Sequence, residues 1–309
     1  MTTTVLVPTM GALLIGVLIS CALYGVTTFQ TYLYFQQFAT SDSRFLKYTV
    51  VFLWLLETVH TALAAAFVFR LQILDFGNFD EILVTHVSDD VTHGILACII
   101  FLVHCFYIRR LWLFTHNIYV TGLVMVLALC HFGFEMVVMA LIFIFPNFSQ
   151  FHKTTPYFTT AMVMAVSADI IIAATMTIEL RTKMAMDRKT NTLLSRLSAY
   201  VISTGVLTSA VDIIILSTFI AMPDNLVYLC FLNFVNNFYA NSMIARLNAR
   251  QSLRSTRGGV HTDTDVHSMN DLSSRPTRSV PVILRRDDKF SSDQDDGVEI
   301  SKTVERHVV

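Results

Sequence analysis

The sequence predicts an all-α, polytopic membrane protein with seven transmembrane helices. Three observations lead to this fold class. The chain contains seven apolar stretches of about 18 residues or more, each long enough for a helix to cross a bilayer. Hydrophobic residues make up 54% of the 309 residues and charged residues only 15%, a balance too apolar for a soluble domain. Only short polar loops separate the stretches. A segment inside the bilayer must satisfy its own backbone hydrogen bonds, as a helix does, so we expect each stretch to be helical.

The predicted spans, in chain order, cover residues 11–35, 46–69, 91–108, 117–145, 157–180, 198–222 and 226–244. They define a short extracellular N-terminus at residues 1–10 and a transmembrane domain at residues 11–250. Residues 251–309 lose the hydrophobic periodicity and mix Ser, Thr, Asp and Arg, which predicts a disordered tail.

The loop charges predict the orientation of the bundle. Basic residues gather in the loops after spans 1, 3 and 5 and beyond span 7: Arg44, Lys47, Arg109, Arg110, Arg181, Lys183, Arg188, Lys189, Arg196, Arg246, Arg250, Arg254 and Arg257. The alternate loops hold only Arg70, which acidic residues outnumber, and Lys153. Because Lys and Arg in short loops resist translocation, we expect the N-terminus outside and the C-terminus in the cytosol.

The arginines that follow span 7 recur at helical spacing. Arg246, Arg250, Arg254 and Arg257 lie on one side of span 7 if it continues as a helix. This pattern predicts a lipid-facing basic stripe along the anionic cytosolic leaflet, with plain stop-transfer charge as the alternative.

The sequence contains one candidate site for N-glycosylation. Asn147 opens the sequon Asn147-Phe148-Ser149 in a loop assigned to the outside, where glycosylation can occur. The five cysteines all lie within predicted spans, which indicates small buried hydrophobes rather than a disulfide framework.

Strongly polar residues recur near the middle of five spans. They are Glu57 in span 2, His131 in span 4, Asp169 in span 5, Asp212 in span 6, and Asn236 and Asn237 in span 7, with His60 and Glu135 one turn outward. A charge at this depth is costly and usually faces the bundle interior, so these residues form a candidate ligand, ion or proton site. The alternative is mutual satisfaction, in which each carboxylate bonds its histidine or an asparagine, or is protonated. Glu57 with His60, and His131 with Glu135, are spaced to share a helix face.

An intramembrane metal or haem enzyme is a remoter alternative. Glu57-x-x-His60 resembles half of a di-iron carboxylate site, but the chain has no second such motif. His60 with His131 would suit haem, yet no second histidine pair accompanies them. We therefore expect no enzymatic activity and no cofactor.

Span 1 carries a stripe of small residues, Ala12, Gly16 and Ser20, at spacings of four. Such stripes let helix backbones approach closely. The pattern favours packing against another span of the same chain, with a homo-oligomer interface as the alternative.

The chain lacks the marks of the best-known seven-helix proteins. Span 7 has no Lys to form a Schiff base, which excludes a rhodopsin-like pigment. Neither the Asp-Arg-Tyr nor the Asn-Pro-x-x-Tyr motif of the large rhodopsin-like receptor class is present.

Several short motifs are distinctive: Leu23-Tyr24-Gly25-Val26, Trp54-Leu55-Leu56-Glu57, Phe106-Tyr107-Ile108-Arg109-Arg110, Thr204-Gly205-Val206-Leu207-Thr208, and Tyr239-Ala240-Asn241-Ser242 through Leu247-Asn248-Ala249-Arg250. In these motifs the chain resembles a fungal, basidiomycete-type family of seven-span membrane proteins that carries domain of unknown function 6534. The likeness runs over residues 10–255 and puts the domain itself at roughly residues 160–252. It implies the architecture and a fungal source, but no particular activity.

These features together predict receptor-like sensing or signalling, with the mid-depth polar residues as a ligand or ion site. A carrier or proton-coupled transporter is the alternative. The expected partners are the lipid bilayer, a cytosolic signalling protein at residues 181–196 and the tail, and a second copy of the chain. We expect no nucleic-acid partner and a multi-pass location in the plasma membrane or an endomembrane.

Overall fold

The computed structural model describes residues 3–76, 87–147, 150, 153–186, 191–222 and 227–250. Chain contacts divide the protein into two units, residues 1–260 and 261–309, and the described residues all belong to the first. The predicted disordered tail, with Arg254 and Arg257, lies outside the described residues.

The described residues are all-α, as predicted. They form seven α-helices: α1 (Thr3–Phe38), α2 (Arg44–Phe69), α3 (Val87–Thr115), α4 (Ile118–Ile144), α5 (Thr155–Met186), α6 (Asn191–Ala221) and α7 (Val227–Asn248). A π-helical turn, Arg70–Leu74, extends α2. Helix α1 begins eight residues before the predicted span, so most of the segment predicted as an extracellular N-terminus is helical. The apolar residues Val5 to Val7 already continue the run upstream of Gly11.

Among the described residues, five helices are long and apolar enough to cross a membrane. They cover Thr9–Phe38, Arg44–Leu74, Asp90–Thr115, Ile118–Ile144 and Thr155–Thr182. Their outward surface carries many exposed large hydrophobic residues, such as Leu18, Phe29 and Phe52, as lipid contact requires. Helix α6 contributes a shorter apolar segment, Gly205–Ala221. The protein therefore has the character of a multi-pass membrane protein.

Helix α7 falls outside this set because its buried residues include polar ones. Asn233, Asn236, Asn237 and Arg246 are all at most 8% exposed and lower its mean hydropathy. Each helix packs against its neighbours in the chain, and α7 returns to α1, its most extensive partner, while also contacting α2, α3 and α6. None of the residues of α7 is exposed, so this helix lies in the interior of the bundle.

Close approach of α1 and α7 depends on the small-residue stripe. A Cβ atom added to Gly16 would lie 2.6 Å from the carbonyl oxygen of Cys230, so only glycine fits there. Further along both helices, Asn237 Nδ2 donates to Ser20 Oγ at 2.8 Å. The prediction that this stripe packs within the chain is confirmed. The same two contacts pair rising residue numbers on both helices, so α1 and α7 run parallel.

Local sequence signals explain where the helices begin. Ser43 caps α2, where its hydroxyl accepts from the amide of Leu46. Asn117 caps α4, where Oδ1 accepts from the amide of Tyr119 at 3.0 Å. The turn before it needs a left-handed residue, which is His116 with φ of 50°.

Candidate functional site

The predicted polar residues do not form one continuous site. They separate into three groups: the Glu57 cluster (Glu57, His60 and Asn236), the Glu135 pair (Glu135 with His93) and the Asp169 cluster (Asp169, Asp212, Tyr239 and His104). His131 packs against His104 of the Asp169 cluster, with ring centroids 6.1 Å apart, and Asn237 bonds Ser20 of α1.

In the Glu57 cluster, an asparagine of α7 holds two side chains of α2. Asn236 Nδ2 lies 3.2 and 3.1 Å from the two carboxylate oxygens of Glu57 and 3.2 Å from His60 Nδ1. All three residues are at most 1% exposed. An amide nitrogen only donates, so His60 Nδ1 accepts, and neutral His60 carries its proton on Nε2. The Glu57 carboxylate therefore forms its hydrogen bond with an asparagine, which was one of the two partner types expected for it.

Glu135 pairs with a histidine on another helix rather than with His131. His93 Nε2 of α3 lies 2.6 Å from Glu135 Oε2 of α4, and Glu135 is 3% exposed. His131 Nδ1 instead donates to the carbonyl oxygen of Ala161 at 3.0 Å. Of the states considered for Glu135, a bond to His131 on its own helix is not the one observed, because the two side chains meet different neighbouring helices.

The Asp169 cluster joins four helices. His104 Nε2 of α3 lies 3.1 Å from Asp169 Oδ1 of α5. The Tyr239 hydroxyl of α7 lies 2.8 Å from Asp169 Oδ2 and 2.6 Å from Asp212 Oδ2 of α6. These four residues are at most 6% exposed. Two carboxylates from different helices thus meet on one tyrosine oxygen.

A cavity of about 100 Å³ lies beside His60. We call it the His60 cavity. Its walls are mainly apolar and aromatic, including Phe158, Phe219 and Tyr228, and its polar lining includes Asp90, His93 and Asn233. These residues come from α2 to α7, so the cavity lies between six helices. It touches the α7 residues from Tyr228 to Asn233, which precede Asn236.

A smaller cavity of about 20 Å³ lies nearer the other end of α7. We call it the Arg246 cavity. It is lined by Tyr107, Asp169, Tyr239, Ser242 and Arg246, together with Ile172, Ala173, Gly205 and Thr208. The Tyr107 hydroxyl lies 3.0 Å from Ser242 Oγ, and the Arg246 guanidinium lies over the Tyr107 ring at 5.2 Å.

The structure contradicts the lipid-facing basic stripe at both positions that it describes. Arg246 is 1% exposed and points into the bundle. Arg250 holds the loop between α1 and α2, where Nη1 and Nη2 donate to the two carboxylate oxygens of Asp42 at 3.2 and 2.6 Å. The Tyr34 hydroxyl donates to the same carboxylate at 2.9 Å. Arg246 packs on the Tyr107 ring inside the bundle and Arg250 pairs with Asp42, so neither forms part of a lipid-facing stripe.

Asn147, the candidate glycosylation site, is exposed just after α4. Phe148 and Ser149 of its sequon lie outside the described residues. Among the described residues, no group of three or more His, Cys, Asp or Glu side chains is arranged to hold a metal ion.

Sequence reasoning missed Tyr239 and gave His93 no role. Helical spacing in the sequence could have pointed to both residues. Asn236, Tyr239, Met243 and Arg246 follow one another at spacings of three, four and three, which is one face of a helix. His93 and His104 are three turns apart on α3 and so share a face as well.

Comparison with known proteins adds one finding. Residues 165–252 match a family model described as a family of unknown function, DUF6534. No curated protein and no solved structure matches the chain. The matched segment starts within α5 and ends just after α7, so it includes Asp169, Asp212 and Tyr239. The chain therefore carries a DUF6534 domain at residues 165–252.

Proposed function

We propose that this protein is a receptor-like membrane sensor that binds a small ligand in the His60 cavity. All seven helices cross the bilayer, with the N-terminus outside and the C-terminus in the cytosol. The observation that carries the proposal is the cavity itself, which combines mainly apolar walls with a few convergent polar groups, the usual composition of a ligand site.

The cavity suggests the size and chemistry of the ligand. Its volume of about 100 Å³ is somewhat below the roughly 150 Å³ that accommodates benzene in an engineered cavity. The ligand, or the part of it that enters, is therefore a small apolar group of a few carbon atoms. His60 and Asn233, which line the cavity, can bond a polar atom on it.

A route from the cavity to α7 supports a signalling role. His60 lines the cavity and also bonds Asn236, which holds Glu57. A ligand that moves the His60 ring therefore acts on α7. Arg250, beyond the other end of α7, fastens the loop between α1 and α2 through Asp42. Residues 181–196 and the tail are the proposed contact for a cytosolic partner.

Two features support the proposed topology. Helix α7 has 22 residues and is about 33 Å long, and α6 has 31 residues, so both are long enough to cross a bilayer. Helices α1 and α7 run parallel, as the first and last of seven alternating spans must. Accessibility of tags at the two ends in sealed vesicles tests this topology, and tags on the same side would refute it.

A cavity-filling variant tests the binding site. Ala64 is 1% exposed and lines the cavity, so Ala64→Phe should fill it. Ala62, on the exposed side of the same helix, gives the matched control Ala62→Phe. Purified protein is heated in detergent with benzyl alcohol, butylamine or butyric acid. Ligand at 100 times its Kd stabilises the native state by about 2.7 kcal/mol.

We expect at least one probe to raise the melting temperature of the wild type and of Ala62→Phe, but not of Ala64→Phe. The proposal fails if no probe stabilises the wild type, or if Ala64→Phe responds as the wild type does.

A carrier is the second candidate, and one observation favours it. The two cavities touch different stretches of α7, residues 228–233 and 239–246, on either side of Asn236. A transported solute needs access to a central site from both ends. Flux of the stabilising probe in proteoliposomes, with and without a pH gradient, distinguishes a carrier from a receptor.

A further inference from the structure

The Asp169 cluster contains one more acceptor than its tyrosine can serve. The Tyr239 hydroxyl oxygen lies within 2.8 Å of a carboxylate oxygen on each of Asp169 and Asp212. A phenol has one proton, so it can donate to only one of them. If both carboxylates were ionised, the other contact would place two oxygen lone pairs together with no hydrogen between them. A second proton is therefore needed, on one of the aspartates, to donate to the Tyr239 oxygen.

His104 does not remove this need. Its Nε2 lies 3.1 Å from Asp169 Oδ1, and the described residues offer no hydrogen-bond partner to its Nδ1. A neutral ring with its proton on Nε2 satisfies this geometry. An imidazolium would bury a second donor that has no acceptor, which is unfavourable for a residue that is 0% exposed. The ring thus acts as a neutral donor, and the extra proton belongs to the aspartates.

The other ionisable groups around the cluster come from the helices packed on it. Helix α3 contributes Tyr107 besides His104, and α4 contributes His131, whose ring centroid is 6.1 Å from that of His104, and Glu135. Helix α7 contributes Arg246, which lines the same small cavity as Asp169 and Tyr239, and Arg110 of α3 lies near Arg246.

We propose that Asp169, Tyr239 and Asp212 form a proton-binding site that holds one exchangeable proton shared by the two aspartates. The Arg246 cavity, at about 20 Å³, is large enough for one water, which can carry the proton to and from Asp169. The site is separate from the His60 cavity and does not depend on the ligand proposed for it. Loss of the proton places two negative charges on either side of Tyr239 and weakens the packing of α5 and α6 on α7.

The number of bound protons can be measured through stability. Between about pH 6 and 8 the aspartates of an unfolded chain are ionised, so the folded protein holds one proton more at this site. The unfolding equilibrium constant should then rise about tenfold per pH unit from this site, because folding takes up a proton. Unfolding by dodecyl sulfate in mixed micelles is measured across this pH range for the wild type and for Asp212→Asn. In the variant, the introduced side-chain amide can donate to Tyr239 without any extra proton.

We expect the pH slope of Asp212→Asn to be smaller than that of the wild type by about one proton. Asp75→Asn, which changes an aspartate paired with Arg70 outside the cluster, is the matched control and should keep the wild-type slope. Equal slopes for the wild type and Asp212→Asn would overturn the proposal.

Infrared spectroscopy gives a second measurement that needs no unfolding. The wild type should show a protonated carboxyl band that shifts in D₂O, weaker in Asp212→Asn and unchanged in Asp75→Asn. If Asp212→Asn does not fold, Asp169→Asn takes its place. A wild type with no such band, or a band of full strength in the cluster variants, contradicts the site.

Discussion

Gly16 offers a direct test of how closely α1 and α7 are packed. In Gly16→Ala the new Cβ would lie 2.6 Å from the carbonyl oxygen of Cys230 and 2.9 Å from its Cα atom. Both atoms belong to the backbone of α7, so no side chain can swing aside. The helices must separate by several tenths of an ångström, and overpacking of this kind costs about 1–3 kcal/mol.

Gly25 on the same helix provides the control. It is exposed, and an added Cβ there meets nothing within 4 Å. Replacement of a helical glycine by alanine favours the helix by roughly 0.5–1 kcal/mol at either position. That gain is common to Gly16→Ala and Gly25→Ala, so the difference between the two variants isolates the overpacking term.

The free energy of unfolding is obtained by titration with dodecyl sulfate in mixed micelles. We expect Gly25→Ala to be as stable as the wild type or slightly more stable. We expect Gly16→Ala to be less stable than Gly25→Ala by about 1–3 kcal/mol. If the two variants are equally stable, α1 and α7 do not approach each other as closely as the structure requires.

Two further predictions concern polar contacts of α7. Arg250→Lys keeps the charge but loses the two-pronged contact with Asp42, whose side chain is 8% exposed, so we expect a loss of about 1–3 kcal/mol in the same unfolding assay; stability equal to the wild type would show that the contact contributes nothing. Asn236→Leu leaves the buried Glu57 carboxyl group without its donor and should cost about 1–3 kcal/mol. The double variant Glu57→Leu with Asn236→Leu should be more stable than Asn236→Leu alone, and the opposite order would contradict the pairing.

The fold class follows from the sequence because hydrocarbon imposes a simple rule on the backbone. Long apolar stretches there become helices, and the predicted span 117–145 differs from α4 by one residue at each end. The start of α1 was missed, since a helix can continue beyond the length that the bilayer needs. Mean hydropathy alone does not identify α7 as a membrane-spanning helix, because its polar residues lower the average although they face the interior rather than lipid.

The candidate site was predicted less completely, for a geometric reason. The sequence gives the depth of Glu57, Asp169 and Asp212 along their helices, but the partner of each depends on helix rotation and order. That dependence explains why Glu135 meets His93, and why Tyr239 was overlooked as the link between two aspartates. Arg246 was misplaced for the same reason, because a regular spacing indicates a face but not its direction.

The enclosure of α7 bears on how this domain can be handled experimentally. The DUF6534 segment contributes α6, α7 and most of α5, whereas Gly16, Ser20 and Glu57, which contact α7, belong to α1 and α2. A fragment cut at residues 165 and 252 would lack α1, α2 and α3, three of the four helices that α7 packs against, and would expose asparagine side chains to lipid. The boundary of the sequence match is therefore not a boundary of folding, and truncation studies should keep the first three helices.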